Sequence, residues 1–274
     1  LLDKETFPLV NPDSGGGLED VSDELYTWIR HKRKFDSFPD HGDYGSTNTL
    51  TRWAVEDDSS IDVSSGTGAE IISPVFDSPK DMLNEMKTLF VYFDEQAVET
   101  NHSTGLHVTM SWHGKKEIMG DGPNALKLAM LLGDKYLLST FGRENNSYAK
   151  SHLPKLQKYA AELKADPNNV KSIKSIEKIL SKGIDSSKFS SIHFKSEKDR
   201  ETGRQLIEFR IGGGNDYHLD FNKVAKAVIR YATTMQAGYT SEGEGAYTKD
   251  YAKALFRFIS KLDQISVDDD ERTK

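Results

Sequence analysis

The amino-acid sequence predicts an α+β fold, in which a mostly antiparallel sheet packs helices on its apolar face and presents a polar, site-bearing face on the other side. Two segments, residues 105–114 and 205–214, alternate between apolar and polar residues, which is the period of a half-buried strand. The segments that separate such strands have helical spacing of apolar residues and differ in length. A doubly wound fold would instead need more strands that are apolar on both faces.

The order of the elements follows from this spacing and from the turn residues. Residues 1–17 contain Pro and Gly and predict a mobile lead-in, which precedes a single domain over residues 18–266 and a disordered acidic tail over residues 267–274. The predicted strands are residues 50–55, 69–74, 105–114, 188–195 and 205–214. The predicted helices are residues 18–29, 79–93, 123–136, 156–163, 170–180, 221–232 and 249–262.

Two of these helices begin at residues that suit a helix start. Ser78 is a good N-cap and Pro79 suits the first helical position, while Asp220 predicts a cap of the same kind for a later helix. Helical spacing predicts the buried residues of three helices, which are Met82, Met86, Leu89, Phe90 and Phe93, then Leu126, Met130 and Tyr136, then Val224, Val228, Ile229 and Ala232.

The polar face of the predicted sheet collects ionisable residues from separate strands. In residues 205–214, Glu208 and Arg210 lie on the face opposite Ile207 and Phe209. Alternation places the following residues on that polar face: Glu70, His107, His113, His193, Lys195, Glu208 and Arg210. Carboxylates avoid a sheet interior unless they are paired or bind a metal, and acids beside an arginine suit a Mg²⁺–phosphate site. The alternative is a solvent-facing sheet surface with cross-strand ion pairs, such as Glu208 with Lys195.

The composition excludes several classes of site. The chain of 274 residues contains no cysteine, which excludes disulfides, zinc–thiolate sites and a cysteine nucleophile. No apolar run approaches the roughly 20 residues of a membrane span, and no membrane partner is expected. The net charge of −7 weighs against a general nucleic-acid binder. The sequence also lacks a P-loop, a dinucleotide-binding glycine motif and a nucleophile elbow.

One segment of this acidic chain is basic. Residues 150–204 carry 13 Lys and Arg against 7 Asp and Glu. The ordinary interpretation is that these lysines lie on solvated helix faces, and the sharper one is that they form a rim that attracts an anionic ligand.

Four short motifs occur in an order that resembles one family of enzymes. They are Trp53-Ala54-Val55-Glu56-Asp57-Asp58-Ser59-Ser60-Ile61, Glu70-Ile71-Ile72-Ser73-Pro74, Gly105-Leu106-His107-Val108-Thr109 and Ile207-Glu208-Phe209-Arg210. Between Trp53 and Tyr217, their order and spacing resemble the amidoligases of phages, plasmids and some fungi and bacteria. These are carboxylate–amine ligases with a fold of the glutamine synthetase and glutamate–cysteine ligase type.

The resemblance implies ATP- and Mg²⁺-dependent amide formation, in which ATP phosphorylates a carboxylate and an amine attacks the acyl phosphate. The implied metal ligands are Glu70, Glu208 and His107, the implied nucleotide-binding residues are Arg210, His193 and Lys195, and the implied catalytic residues are Arg210, His107 and Asp58. In this scheme Arg210 grips the γ-phosphate, and Asp58 orients the substrate or supports the metal shell. The expected substrates are a small-molecule or peptide carboxylate and an amine.

The chain departs from the family pattern in two places. Thr109 replaces the second histidine of the His-Val-His motif, and no acidic Gly-x-Glu-x-Glu pair is found before Trp53. Because the first residue is Leu1, we expect a piece of a longer polypeptide or particle, with the ligase-like domain truncated at its N-terminus. The alternative function is a non-catalytic binding or structural module that keeps the ligase fold. The expected location is the cytoplasm, or the host cytoplasm or virion for a phage protein.

Overall fold

The protein has an α+β fold, as the sequence predicts. The computed structural model describes residues 2–11, 40–42, 53–63, 67–96, 98–111, 124–165, 172–184, 187–198, 205–239 and 249–262. Within these residues, seven strands form one sheet: β1 Leu2–Asn11, β2 Asp40–Gly42, β3 Ala54–Asp57, β4 Thr67–Ile72, β5 Gly105–Met110, β6 Ile192–Lys198 and β7 Gln205–Gly213. The strand order is β2-β3-β4-β1-β5-β7-β6, and the pairs are antiparallel except that β2 runs parallel to β3.

The helices lie between the strands and after the last of them. Their bounds are α1 Pro79–Glu95, α2 Ala125–Leu132, α3 Asp134–Thr140, α4 Leu153–Ala165, α5 Ile173–Leu180, α6 Phe221–Tyr239 and α7 Lys249–Lys261. In the part of the chain that the structure describes, no helix combines the length and hydropathy that a membrane span requires.

Both predicted helix caps are present. The side-chain oxygen of Ser78 accepts from the backbone N–H of Asp81 at 3.2 Å, and Pro79 occupies the first helical position of α1. At the start of α6, Asp220 Oδ1 accepts from the backbone N–H of Lys223 at 2.9 Å. The five predicted core residues of α1 are all buried, so its apolar stripe faces the core as the spacing predicts.

The helices pack on the apolar face of the sheet. Phe209 of β7 stacks on Tyr231 of α6 with ring centroids 4.6 Å apart, and both residues are fully buried. Phe90 of α1 packs edge-on against Tyr217 and Phe221 at 6.3 Å and 5.8 Å. The contact between Phe209 and Tyr231 joins the helix layer to the sheet, and alternation along β7 puts Glu208 and Arg210 on its opposite face.

The sequence predicts a mobile lead-in over residues 1–17, whereas Leu2–Asn11 forms strand β1 in the structure. This strand pairs with β4 on one side and β5 on the other, so it joins the two halves of the sheet. A proline in a central strand is uncommon because it has no backbone N–H to donate to the neighbouring strand. Pro8 is therefore the reason why the sequence pattern did not predict this strand. The pairing of β1 with both β4 and β5 outweighs the unfavourable local effect of Pro8.

The predicted helix over residues 123–136 is divided. Gly133 adopts a left-handed conformation with a φ of 65° and ends α2, and α3 then starts in a new direction. As a result Tyr136, a predicted core residue, is 66% exposed. Ile229 of α6 is also on the outside at 54%, because the apolar stripe of α6 is narrower than the sequence suggests. The predicted helix over residues 18–29, His113 and the acidic tail lie outside the described residues.

Candidate functional site

Glu208 is the centre of a cluster of charged side chains on the polar face of the sheet. It lies on β7 opposite His193 of β6, whose Nδ1 is 3.3 Å from Glu208 Oε2. Arg210 Nη1 donates to the same oxygen at 2.8 Å, and Lys195 Nζ lies 3.7 Å from Oε1. The structure therefore brings together four residues that the sequence places on one face, and both carboxylate oxygens of Glu208 are engaged.

The polar face is largely shielded from solvent. Glu208 is 8% exposed, and Glu56, Glu70 and Thr109 are also buried. The alternative interpretation, a solvent-facing surface, is therefore wrong for these residues, although its cross-strand pair of Glu208 with Lys195 is present. Buried carboxylates need compensating partners, so this arrangement is more specific than an ordinary sheet surface.

The charge state of Glu208 follows from its partners. Burial opposes ionisation of the carboxyl group, but the hydrogen bond with His193 and the charges of Arg210 and Lys195 outweigh it. They hold the pKa of Glu208 well below its ordinary value. Glu208 is therefore a carboxylate at neutral pH and serves to orient the cations around it.

Arg210 is held at three points. Besides the contact with Glu208, its Nε donates to the carbonyl oxygen of Tyr148 at 3.3 Å. Its backbone N–H donates to the carbonyl oxygen of Ser191 at 3.0 Å, next to the start of β6. The guanidinium thus lies between the carboxylate of Glu208 and the loop before α4, in an orientation that the surrounding backbone fixes.

Arg143 adds a second guanidinium that the sequence analysis did not identify. It is 3% exposed, and its Nη1 donates to the carbonyl oxygens of Arg210, at 3.2 Å, and of Gly212. These carbonyls lie where the register between β5 and β7 shifts, across from Leu106 and Val108. Burial and the charge of Arg210 lower the pKa of Arg143 to about 10, which leaves it protonated at neutral pH.

His107 lies beside this cluster on β5 and is partly buried. A Cβ added at Gly105 would come within 2.8 Å of His107 Nε2 and 3.5 Å of Arg143 Nη1, so the imidazole and the guanidinium border the same glycine. Burial lowers the pKa of His107 to about 3, with help from the charge of Arg210 and against the charge of Glu208. His107 is therefore neutral at pH 7 and adds no charge to the cluster.

Two glutamates form a second feature of the same face. Glu56 of β3 lies directly opposite Glu70 of β4, and the two are 3% and 6% exposed. Directly opposed residues share a face, with Cβ atoms about 5 Å apart. Ile72 of β4 and His107 of β5 both pair with Thr6 of β1, which puts Glu70 on the same face of the sheet as His107.

The predicted metal set of Glu70, Glu208 and His107 does not form one cluster. Strands β1 and β5 lie between β4 and β7, so the backbones of Glu70 and Glu208 are about 14 Å apart at ordinary strand spacing. Among the described residues, no group of three or more His, Asp or Glu side chains is arranged as a metal site. Alternation places residues on a face, but it does not determine which strands are neighbours.

The donor sets on this face differ in how well they suit Mg²⁺. This ion binds one or two carboxylates and completes its shell with water and phosphate oxygens. The opposed carboxylates of Glu56 and Glu70 have that chemistry, and like Glu208 both of them already interact with other groups of the protein. By number and type of ligand, the pair on β3 and β4 is the donor set on this face that matches Mg²⁺.

Asp58, a predicted catalytic residue, lies in the turn after β3. Its Oδ1 accepts from the backbone N–H of Ser60 at 2.9 Å and from the Ser60 hydroxyl at 2.7 Å. This is the local bonding of an aspartate that stabilises a turn. The geometry gives Asp58 a structural role, and it does not place Asp58 in the cluster around Glu208.

The sequence analysis missed Glu56 and Arg143 for different reasons. The predicted strand over residues 50–55 ends one residue before Glu56, because the acidic residues Asp57 and Asp58 that follow are typical of a turn, although the alternation of Glu56 with Val55 is a strand signal. Arg143 is in a loop after α3 and reaches β7 from a distance of 67 residues in sequence, so no local pattern marks it.

Comparison with solved structures gives a distant likeness. No protein-family profile and no curated protein matches this chain. In structure it is similar to a glutamine synthetase of Plasmodium falciparum, at 13% identity with a TM-score of 0.33. The match covers 86% of this chain and 51% of that chain, so this protein spans about half the length of the glutamine synthetase. A similarity at this TM-score assigns no role to any residue of the site, so the chemistry of the site follows from the contacts of its own residues.

Proposed function

We propose that this protein is an ATP- and Mg²⁺-dependent carboxylate–amine ligase whose phosphate-binding site is the cluster around Glu208. The observation that carries the proposal is an excess of positive charge around the buried carboxylate of Glu208. Arg210 and Lys195 form ion pairs with Glu208, and Arg143 adds a third positive charge at the backbone of β7 beside Arg210. A multiply charged anion complements such a set, and guanidinium groups suit phosphate in particular.

The rest of the same face supports a nucleotide rather than a simple anion. Glu56 and Glu70 offer opposed carboxylates on the same face, with β1 and β5 between them and the cationic cluster, so one face presents ligand types for a divalent cation and for phosphate. Mg²⁺ held by these carboxylates would add positive charge to the face that binds the nucleotide. The four motifs that resemble the amidoligases supply four of these residues, Glu56, Glu70, Glu208 and Arg210.

In the proposed reaction the substrate carboxylate forms a bond to the γ-phosphorus of ATP while the bond to ADP breaks. The amine nitrogen then attacks the acyl carbon, phosphate leaves, and the amine loses its proton. Arg210 and Lys195 would hold the phosphoryl oxygens and offset the charge that develops on them. Glu208 would keep these cations in place, and Arg143 would hold the β7 backbone that carries Arg210. The catalytic contribution of the chain is therefore positioning and electrostatic stabilisation.

Substitution of Glu208 tests the proposal. Glu208→Gln keeps the shape of the side chain but removes the charge that orients Arg210 and Lys195. We expect Mg·ATP-dependent turnover to fall by about 100-fold, since misplaced binding groups have effects of that order. The assay is release of ADP with hydroxylamine as the amine, over a panel of small carboxylates and peptides, alongside calorimetric titration of Mg·ATP.

The matched control is Glu162→Gln, which removes the charge of an exposed glutamate on α4. Circular dichroism checks that both variants fold. Unchanged turnover in Glu208→Gln, with normal activity in the control, would show that the cluster does not serve catalysis.

A non-catalytic module is the second candidate function. The observation in its favour is that Glu208 already contacts His193, Arg210 and Lys195, as a structural ion-pair network would. Under this candidate, the wild-type protein shows no ADP release with any carboxylate and no heat of Mg·ATP binding.

A further inference from the structure

Tyr148 and Phe189 form an exposed aromatic pair close to the cluster around Glu208. Their ring centroids are 6.0 Å apart at an interplanar angle of 54°, and the residues are 42% and 41% exposed. Neither ring belongs to the core that joins the sheet to the helices. Two rings that share an edge and remain half-open to solvent are suited to contact a third planar group.

Backbone hydrogen bonds fix this pair beside Arg210. The carbonyl oxygen of Tyr148 accepts from Arg210 Nε at 3.3 Å. The backbone N–H of Lys150 donates to the carbonyl oxygen of Phe189 at 2.8 Å, and Ser191 N–H donates back to Lys150 at 2.8 Å. The two segments that carry the rings are therefore tied to each other and to the guanidinium that we assign to the transferred phosphoryl group.

Positive charge borders the pair as well. Lys188 Nζ lies 5.3 Å from the centroid of the Phe189 ring, and its side chain is exposed. Arg210 is linked to the pair through the backbone carbonyl of Tyr148. A ligand that joins a planar apolar group to a negative charge would satisfy both features of this surface.

We infer that Tyr148 and Phe189 bind the side chain of the acyl substrate, and that this substrate is a carboxylate carrying an aromatic ring. The inference rests on the proposed function, because Arg210 marks where the phosphoryl group meets the substrate carboxylate. The backbone of Tyr148, which accepts from Arg210, then brings the aromatic pair next to the place of the acyl substrate. The nucleobase is a less suitable occupant, since ribose and two further phosphates separate it from the γ-phosphorus.

Binding of two simple probes tests the inference. N-acetylphenylalanine and N-acetylalanine are titrated into the wild-type protein, Tyr148→Ala and Phe189→Ala in the presence of Mg²⁺ and a non-hydrolysable ATP analogue. We expect the wild type to prefer the aromatic probe by about tenfold, which is the scale of a specific aromatic contact. Each alanine variant should lose that preference while its affinity for N-acetylalanine stays the same.

The control variant is Tyr136→Ala, which removes a ring that is 66% exposed on α3. It should keep the full preference. Equal binding of the two probes by the wild type, binding of neither, or an unchanged preference in both ring variants would overturn the inference. Adenosine is tested as a competitor of N-acetylphenylalanine. If it competes, and if its affinity falls in both ring variants, the pair would be assigned to the nucleobase instead.

The same titrations separate this inference from the proposed function. A preference that depends on both rings, in a protein that releases no ADP with hydroxylamine, would support the aromatic site and contradict the ligase. ADP release without any preference for the aromatic probe would support the ligase and contradict the aromatic site.

Discussion

Arg210 is held at its Nε and Nη1 atoms within the protein, by Tyr148 and Glu208. A side chain fixed in this way loses little conformational freedom when it binds an anion, so more of each contact contributes to affinity. The planar guanidinium group of Arg210 has several N–H donors, so it can contact the protein and a phosphate at the same time.

Arg210→Lys keeps the positive charge but replaces the planar guanidinium, with its several N–H donors in one plane, by a single ammonium group. We expect the affinity for Mg·ATP, and for tripolyphosphate as a probe without a base, to fall by about 10- to 100-fold, since charge-assisted hydrogen bonds are lost. Calorimetric titration measures both affinities. The control is Arg257→Lys, at an exposed position on α7. Near-wild-type affinity in Arg210→Lys would remove Arg210 from the phosphate site.

His107 gives the protein an acid-sensitive stability. Burial lowers the pKa of His107 to about 3 in the folded chain, from 6.5 in the unfolded one. Between these values the unfolded chain binds a proton and the folded chain does not, so stability falls as the pH falls from 6.5. The depressed pKa of Glu208 acts in the same direction, but only below pH 4.5.

His107→Gln should therefore flatten the pH dependence. We expect the wild type to lose about 2 kcal/mol more unfolding free energy than the variant between pH 6.5 and pH 5, at about 1.4 kcal/mol per pH unit. Urea unfolding at the two pH values measures this difference. His102→Gln is the control, because the side chain of His102 is 76% exposed and should leave the wild-type dependence intact. Parallel pH profiles for the wild type and His107→Gln would contradict the assignment.

At the scale of the elements, the pairing of β5 with β7 positions the site. A register shift across from Leu106 and Val108 interrupts the ladder, and Arg143 donates to the carbonyls that it leaves. Gly213 ends β7 with a φ of 116°, and a Cβ there would be 2.5 Å from the carbonyl oxygen of Thr104 and 2.7 Å from Arg143 Nη1. The close approach of β5, β7 and Arg143 therefore requires a glycine at this position.

A comparison of Gly213→Ala with Gly142→Ala separates two costs of replacing a glycine, which are steric contact of the added Cβ with its neighbours and strain from a positive φ. Both glycines have positive φ, but a Cβ at Gly142 would meet nothing within 4 Å. We expect Gly142→Ala to cost about 1 kcal/mol of unfolding free energy from backbone strain alone, and Gly213→Ala to cost at least about 2 kcal/mol more. Urea unfolding at pH 7 compares the two. Equal losses would mean that the strands and Arg143 can separate to admit a methyl group.

At the scale of the whole molecule, the lysines of the basic segment fall into two groups, those on exposed helix surfaces and those close to the polar face of the sheet. The basic segment places six lysines on exposed positions of α4, α5 and the turn after it, as solvated helix faces would: Lys155, Lys158, Lys164, Lys174, Lys178 and Lys182. Lys188 and Lys195 differ, because they border the aromatic pair and the cluster around Glu208. The interpretation as solvated helix faces therefore holds for these six lysines, and a rim that attracts an anionic ligand stays a prediction for Lys188 and Lys195, in a chain whose net charge is −7.

Local sequence patterns determined the α+β class, both helix caps and the faces of β5 and β7. Those properties depend on a period of two or 3.6 residues and on the chemistry of single positions such as Ser78 and Asp220, which short stretches of sequence carry. For the same reason, alternation alone put Glu208, Arg210, His193 and Lys195 on one face.

Tertiary structure alone decided which of these residues meet. The position of β1 between β4 and β5 separates Glu70 from Glu208, and the β3–β4 register sets Glu70 opposite Glu56. Arg143 reaches β7 from a loop 67 residues away in sequence, and Tyr148 meets Phe189 by the pairing of two loops. Strand order and loop contacts arise from packing and hydrogen bonding between distant segments, and no periodic signal in the chain encodes them.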